Sequence, residues 1–388
     1  MKSFGKKALT VLLSGLFTVF SAACADTEGD LFEFPENFYI DIDMENFPEP
    51  DTMLTVYEAF HWRPDEEEEM EKIKNSLLQY PVEEEALHAE GPAFYTRSGN
   101  STEFLSIRDG GERFGADHGL YGSFMYSKME NDTNLENRLG ELLPRYAGHS
   151  TTLTIFPYNE KTEACADKQL GFAPLETVQK EVTDLFSAWG GPQIAPSEAY
   201  GLDFAELKRR SALYADKNPL HSPSISEEDE LYLLFFQQMV DEIPLTDVEW
   251  YNASLGETST STDCGVDALY TKDGLVSLNA TNLYIPGEAL TTFTPIPAAS
   301  ALSILLETQY AVPKVENETR LLSCELEYAA VYSGDQYFLI PVWNFLIMEK
   351  ITSTIKTASG AESEISNSYA YMLIDAETGE LLRTPNRG

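Results

Sequence analysis

Val266-Asp267-Ala268-Leu269-Tyr270-Thr271-Lys272-Asp273-Gly274-Leu275-Val276-Ser277-Leu278 is two apolar runs divided by Lys-Asp-Gly. An Asp-Gly pair between such runs is a strong local signal for a tight antiparallel hairpin, because both residues tolerate the left-handed backbone that the turn demands. Upstream lies the apolar run Leu231–Val240, and before it a helix over Pro174–Trp189. Leu175, Val178, Val182, Leu185 and Phe186 recur there at helical spacing, and Gly190-Gly191 supplies a stop. Downstream the same grammar returns: a helix at about 297–308, long strands at about 320–332 and 336–349, and a closing hairpin. That hairpin is Ser368–Asp375, a turn through Glu377-Thr378-Gly379, and Glu380–Leu382. Helices followed by antiparallel strands define an α+β protein, with helices packed on antiparallel sheets in two or three modules.

The first half reads the same way. Apolar residues at 38, 40, 42 and 44 alternate with mostly acidic ones, which predicts a half-buried strand, and a second strand is predicted at about 53–61. Pro64-Asp65 and a glutamate run open a helix of about 15 residues with Met70, Ile73 and Leu77 as its apolar stripe. Strands are predicted at Ala93–Arg97, Glu103–Arg108 and Leu120–Tyr126, a helix at Leu135–Tyr146 and a strand at Thr151–Pro157. These readings divide the chain into an acidic tether and first strand (24–50), an N-terminal α+β domain (51–160), a middle module (170–285) and a C-terminal module (295–388).

Residues 1–23 have another character. Lys2, Lys6 and Lys7 precede an uncharged apolar run from Ala8 to Phe20, which is too short to span a bilayer and has the layout of a secretory signal. Ser21-Ala22-Ala23-Cys24 resembles the bacterial lipobox, with Ser21 where leucine is preferred. Cleavage before Cys24 would leave a lipid-anchored cysteine, and two or more acyl chains suffice for stable anchoring. Ordinary cleavage after Ala23 or Ala25 would instead release a secreted protein.

Of the 388 residues, 26 are Lys or Arg and 64 are Asp or Glu. Removing residues 1–23 takes away three lysines and no acids, leaving 23 basic against 64 acidic side chains and a net charge of −41. Such a surface repels phosphate backbones, so nucleic acid is excluded as a partner. The acid-dense runs Asp65–Glu69, Glu83–Glu85 and Glu227–Glu230 read as solvated helix faces or caps. Beyond Cys24 only Cys165, Cys264 and Cys324 remain. Three cysteines cannot all pair internally, so a Cys264–Cys324 bridge and three buried thiols are both open.

The five histidines, His61, His88, His118, His149 and His221, form no H-E-x-x-H or other zinc spacing. Asp117-His118 sits in a glycine-flanked stretch, where a loop predicts the same string. Asp41, Asp43 and Glu45 alternate on one strand face, but they lack the glycine and bidentate acid of a calcium loop. There is no G-x-S-x-G elbow, P-loop or G-x-G-x-x-G. No catalytic, cofactor-binding or metal-binding residue is assigned; the one site residue is Cys24, as the lipid anchor.

Tyr337-Phe338-Leu339-Ile340-Pro341-Val342-Trp343, with Tyr371-Met372-Leu373-Ile374-Asp375-Ala376-Glu377-Thr378-Gly379-Glu380, resembles the end of PepSY-like modules and of YycH/YycI-type extracytoplasmic regulators. The match covers roughly the last 90 residues; the lipoprotein-like start is similar to that of uncharacterised lipoproteins of gut clostridia. The resemblance implies a surface-anchored, non-enzymatic binding or regulatory module, with membrane lipid at Cys24 and a membrane or envelope protein as partners. An exported hydrolase acting on glycans or peptides is the alternative. YycH/YycI-type proteins carry a transmembrane anchor, and this chain departs from them there. Read without the resemblance, Pro341 marks an edge or bulge because it cannot donate to a ladder. Trp343 and Tyr371 are core residues, and Gly379 supplies the positive φ of the turn.

Overall fold

The computed structural model describes residues 36–43, 53–62, 64, 67–88, 91–108, 123–130, 133–144, 164–217, 223–248, 265–308, 317–333, 336–357 and 360–382. Its elements in chain order begin with β1 (Phe38–Ile40), β2 (Leu54–His61), α1 (Glu67–Leu77), β3 (Val82–His88), β4 (Gly91–Ser98), β5 (Ser101–Arg108), β6 (Ser123–Glu130), β7 (Thr133–Asn134) and α2 (Leu135–Leu139). Next come α3 (Leu175–Trp189), β8 (Ile194–Leu202), α4 (Phe204–Lys217), β9 (Leu231–Val240), β10 (Ile243–Pro244), β11 (Gly265–Thr271) and β12 (Gly274–Thr281). The chain closes with β13 (Tyr284–Phe293), α5 (Ala298–Thr308), β14 (Glu318–Ser333), β15 (Gln336–Thr357), β16 (Gly360–Asp375) and β17 (Leu381–Leu382).

The Asp-Gly stretch is the hairpin β11–β12, turning where Thr271 faces Gly274, and Gly274 takes φ +99°. It is the middle of a ten-stranded sheet ordered β10-β9-β11-β12-β6-β5-β4-β3, with β8 on β9 and β7 on β6. Helices cover both faces. Val178, Val182, Phe186 and Trp189 of α3, with Ile73 and Leu77 of α1, pack on Tyr126, Leu234, Ala268 and Leu278. Leu207 of α4 and Leu139 of α2 pack on Leu231, Leu233 and Leu269 of the opposite face. Residues 231–234 are therefore buried without interruption, which is why Leu231–Val240 reads as continuous apolar chain.

The second sheet has seven strands, ordered β1-β14-β15-β16-β17, with β2 beside both β13 and β15. α5 lies against β15 and β16, and Trp343 donates from Nε1 to the Ile296 carbonyl at 2.9 Å. Pro341 faces Tyr328 of β14. On its other side β15 pairs with β2 over Tyr337–Leu339 and with β16 from Val342 onward. The proline thus falls at the change of neighbour, where a missing N–H costs no ladder bond. In the closing turn the Asp375 carboxylate accepts from the Glu377 and Thr378 amides, both at 2.8 Å. Gly379 has φ +75°, and a Cβ there would come within 2.6 Å of Ile304.

Several expected elements change length or kind. The 38–44 strand keeps only Phe38–Ile40, parallel to β14. The 135–146 helix ends as α at Leu139 and continues as one 3₁₀ turn over Gly140–Leu142. Pro144 forces Leu143 into the extended region, at ψ 142°, and so stops it. Glu83–Glu85 belong to no helix: they sit exposed on β3 at the border of the sheet, where charge discourages further pairing. The 151–157 strand lies outside the described residues. β6 pairs with β12 and β2 with β15, so hydrogen bonds run between the 51–160 stretch and both later ones.

The two sheets are tied at Gln238 of β9. Its side chain, fully buried, donates to the Tyr284 carbonyl at 2.7 Å and accepts from the Tyr284 amide at 2.8 Å. Beyond it, Asp241 and Glu242 make a two-residue turn with φ of +50° and +66°. Tyr57 donates to Asp241 at 2.5 Å, which accounts for the acid at that position. Among the described residues nothing comparable holds Glu242, and the left-handed region costs a side chain about 1 kcal/mol. Gln238→Leu is expected to lower unfolding free energy by about 3 kcal/mol, because two buried main-chain groups lose their partner. A chemical-denaturation series showing a loss below about 1 kcal/mol would sink this. Glu242→Gly is expected to raise stability by about 1 kcal/mol; an unchanged or lower melting temperature would show that the turn is not strained.

Candidate functional site

Two clefts flank the β11–β12 hairpin, one on each face of the sheet. The first, about 500 Å³, opens where α1 and α3 run over it. Trp189 of α3 donates from Nε1 to Ser76 Oγ of α1 at 2.7 Å and fixes the helices' spacing. Its floor is Tyr126, Tyr270 and Leu275; Leu77, Leu185 and Ala188 are apolar walls; Glu181 and Asp184 stand at the α3 side. The helical period explains the last two. Val178, Val182 and Phe186 point inward, so residues 181 and 184 fall on the flank.

Both phenols are committed donors. Tyr270 donates to Glu181 Oε2 at 2.5 Å, and burial with that carboxylate pushes its pKa up to about 12. Tyr126 donates to Glu103 Oε1 at 3.3 Å and is raised by burial and by the Glu103 charge. Glu103 has no exposed surface; its Oε2 also takes the Thr96 hydroxyl at 2.8 Å and the Gln79 amide at 2.9 Å. A carboxylate with three donors is stable inside a protein without a cation. Asp184 is paired with Lys180, whose Nζ lies 2.6 Å from both its oxygens. Ser76 gives its proton to the Lys72 and Ile73 carbonyls. What the cleft offers a ligand is therefore mainly oxygen lone pairs beside aliphatic carbon.

The second cleft, about 510 Å³, lies on the opposite face among Lys128, Glu130, Arg138, Glu228, Asp229 and Asp273. Three of these charges are already matched, those of Arg138, Asp229 and Glu228. Arg138 grips Asp229 with both terminal nitrogens and the Ser224 carbonyl at 2.9 Å. Burial raises Asp229, but Arg138 and Ser226 together hold it below the usual carboxylate range. Lys272 pairs with Glu228. Deeper in the same layer Arg210, buried, binds Glu206 at 2.7 Å and the Leu142 carbonyl at 3.1 Å. The Arg210 contacts tie α4 to the 3₁₀ turn at Leu142.

The residues singled out in the sequence do not gather at either cleft. Trp343 and Tyr371 are both buried, and Trp343 pairs with Ile374, so the two project from opposite faces of one sheet. Asp41 is bound by Arg320 through both carboxylate oxygens at 3.0 Å, while Glu45 lies outside the described residues. Among the described residues no three His, Cys, Asp or Glu side chains are placed to hold a metal ion. Cys165 and Cys324 are buried free thiols; Cys24, Cys264, Asp117, His118, His149 and His221 lie outside the described residues. His61 packs between Tyr284 and Tyr337, with ring centroids 4.6 Å from each. Sequence reading missed Tyr270, Glu181 and Glu103. The trace left by the first is its place one residue before the hairpin turn, where a side chain is half-covered; the pairing that brings α3 over it leaves no local signal.

No family model matches the chain, and no curated protein matches it. Among solved structures it is similar in fold to an uncharacterized protein from Eubacterium rectale ATCC 33656, known from a crystal structure. The TM-score is 0.57 at 17% sequence identity, over 90% of this chain and 92% of that one. At that identity the likeness is one of architecture: the same mixed α+β arrangement, preserved across nearly the whole of both chains.

Proposed function

We propose that this protein is an extracytoplasmic lipoprotein, held on the outer face of the cell membrane through Cys24, that acts as a non-enzymatic binding or regulatory module. The observation that carries the binding role is the cleft between α1 and α3. Its titratable groups are engaged in fixed hydrogen bonds, and burial with neighbouring carboxylates keeps its phenols protonated. A site of that kind holds a ligand without moving a proton at neutral pH. The anchor rests on the basic, apolar and small-residue order of residues 1–23. The PepSY-like, YycH/YycI-like reading of residues 295–388 is supported by α5 packed on β15 and β16 and by the Asp375–Gly379 turn. A membrane or envelope protein is the proposed partner, and the acidic surface disfavours nucleic acid.

One observation favours the alternative, an exported hydrolase for glycans or peptides. Asp267 of β11 is pushed up to about 6, first by burial and then by the nearby Glu136 charge, with Asn279 donating to it at 2.8 Å in opposition. A carboxyl held neutral into that range is what a general acid requires. Release of sugar or peptide fragments from cell wall by the purified chain, abolished in Asp267→Asn, would establish this reading over the first.

Cys24→Ser is expected to move the protein from the membrane fraction into the medium with its melting temperature unchanged; retention at the membrane would argue against the lipid anchor. The raised Asp267 also sets a pH dependence. The folded state holds that proton more tightly than the unfolded chain, so a penalty accrues as pH rises from the ordinary carboxylate range through about 6. Asp267→Asn is therefore expected to raise stability at pH 7 by about 2 kcal/mol, with no gain at pH 3. Equal gains at both pH values would show that Asp267 does not titrate abnormally.

A further inference from the structure

We infer that the α1–α3 cleft takes a protonated amine carried on an aliphatic body, the ammonium bound at Glu181 and the Tyr270 phenol oxygen. This deepens the binding role proposed above and rests on it. Tyr270 spends its only proton on Glu181, so its oxygen faces a ligand as an acceptor. Glu181 receives that phenol and has no basic partner among the described residues, whereas its neighbour Asp184 is already matched by Lys180. Among the described residues no Lys or Arg lines the cleft. Gln79 lines the cleft with a neutral amide, and the charged group left to a ligand is the Glu181 acceptor; an ammonium answers it with three donors and the opposite charge. Leu185 and Leu275 lie along the same cleft and offer aliphatic surface beside the carboxylate. A cation with no apolar body leaves them wet, and an anion meets a carboxylate and two phenolic lone pairs. The strongly acidic chain raises the local concentration of cations around the site.

The test is a nuclear magnetic resonance titration of the full chain at pH 7 with three six-carbon probes: n-hexylamine, n-hexanol and n-hexanoate. Hexylamine is expected to shift the Tyr270 ring and Leu275 methyl signals saturably and hexanoate to leave them in place, with hexanol at least tenfold weaker than the amine. Glu181→Gln keeps an acceptor for the phenol on an exposed helix flank, so the fold stands; it is expected to weaken hexylamine about tenfold. Glu176→Gln, on the same helix outside the cleft, is expected to leave binding unchanged. Equal binding of hexylamine and hexanol, or full affinity in Glu181→Gln, overturns the amine assignment while leaving a binding cleft in place. Absence of a shift at Tyr270 and Leu275 with all three probes overturns the assignment and removes the cleft as support for the binding role.

Discussion

The joint between the two sheets depends on one buried amide, that of Gln238. Gln238 sits on β9, which already pairs with β8, β10 and β11, and its side chain closes both hydrogen-bonding groups of Tyr284 at the start of β13. The chain leaving β9 repeats the link in main-chain form: Leu245 donates to the Gln238 carbonyl and Thr246 to the Tyr328 carbonyl of β14. Side chain and backbone of a single strand thus fasten the ten-stranded sheet to the seven-stranded one. A buried amide is justified only if all its groups are paired, and here the pairing fixes register: displacing β13 by one residue would strand a donor and an acceptor in an apolar core. That core is continuous across the joint, from Phe124 and Phe186 through Trp62 and Tyr284 to Tyr328 and Leu339.

A chain this acidic must keep its buried carboxylates from repelling one another. Three answers recur. Glu103 is satisfied by neutral donors alone, Glu206 by two arginines, and Asp229 by one arginine and the Ser226 hydroxyl and amide. Removing one partner from such a group costs far more than the pair contributes, so these positions are rigid points. Glu103 fixes Tyr126 on the floor of the first cleft, and Asp229 lines the second. Two more acids take a neutral amide each, buried Glu327 from Asn344 and half-buried Asp267 from Asn279. Glu83–Glu85 lie exposed on the border strand β3, where water screens them and where they hinder association with other chains.

Most of the elements were legible because their signals are local. The α3 stripe and its Gly190 stop, the Asp-Gly hairpin, α1 with acids in its first turn, and the Asp375–Gly379 turn all follow from residues within a few positions of each other. β8, α4 and β13 were not legible. β8 contains Pro196 and Gly201, and a backbone carbonyl of Lys168 comes so close that a Cβ at 201 would lie 2.1 Å from it. A strand interrupted in that way carries no clear period, and it forms because β9 lies ready beside it. α4 begins at an Asp203 cap that holds the Glu206 amide at 2.9 Å, a signal hidden among many acids.

Sequence by itself determined that the chain is an acidic α+β protein of helices on antiparallel strands, where its central hairpin turns, and which residues open and close its main helices. Each of those is set by period, by capping chemistry or by net charge, and needs no knowledge of what lies across the core. Tertiary structure alone decided that strands from the first and second halves share one sheet, that Pro341 marks a change of neighbour, and that Glu181 meets Tyr270 89 residues away. Strand order and long-range side-chain pairing depend on which hydrogen-bonding edges are left unfilled after the others have paired. Those edges exist only in the folded chain, so no window of sequence carries them.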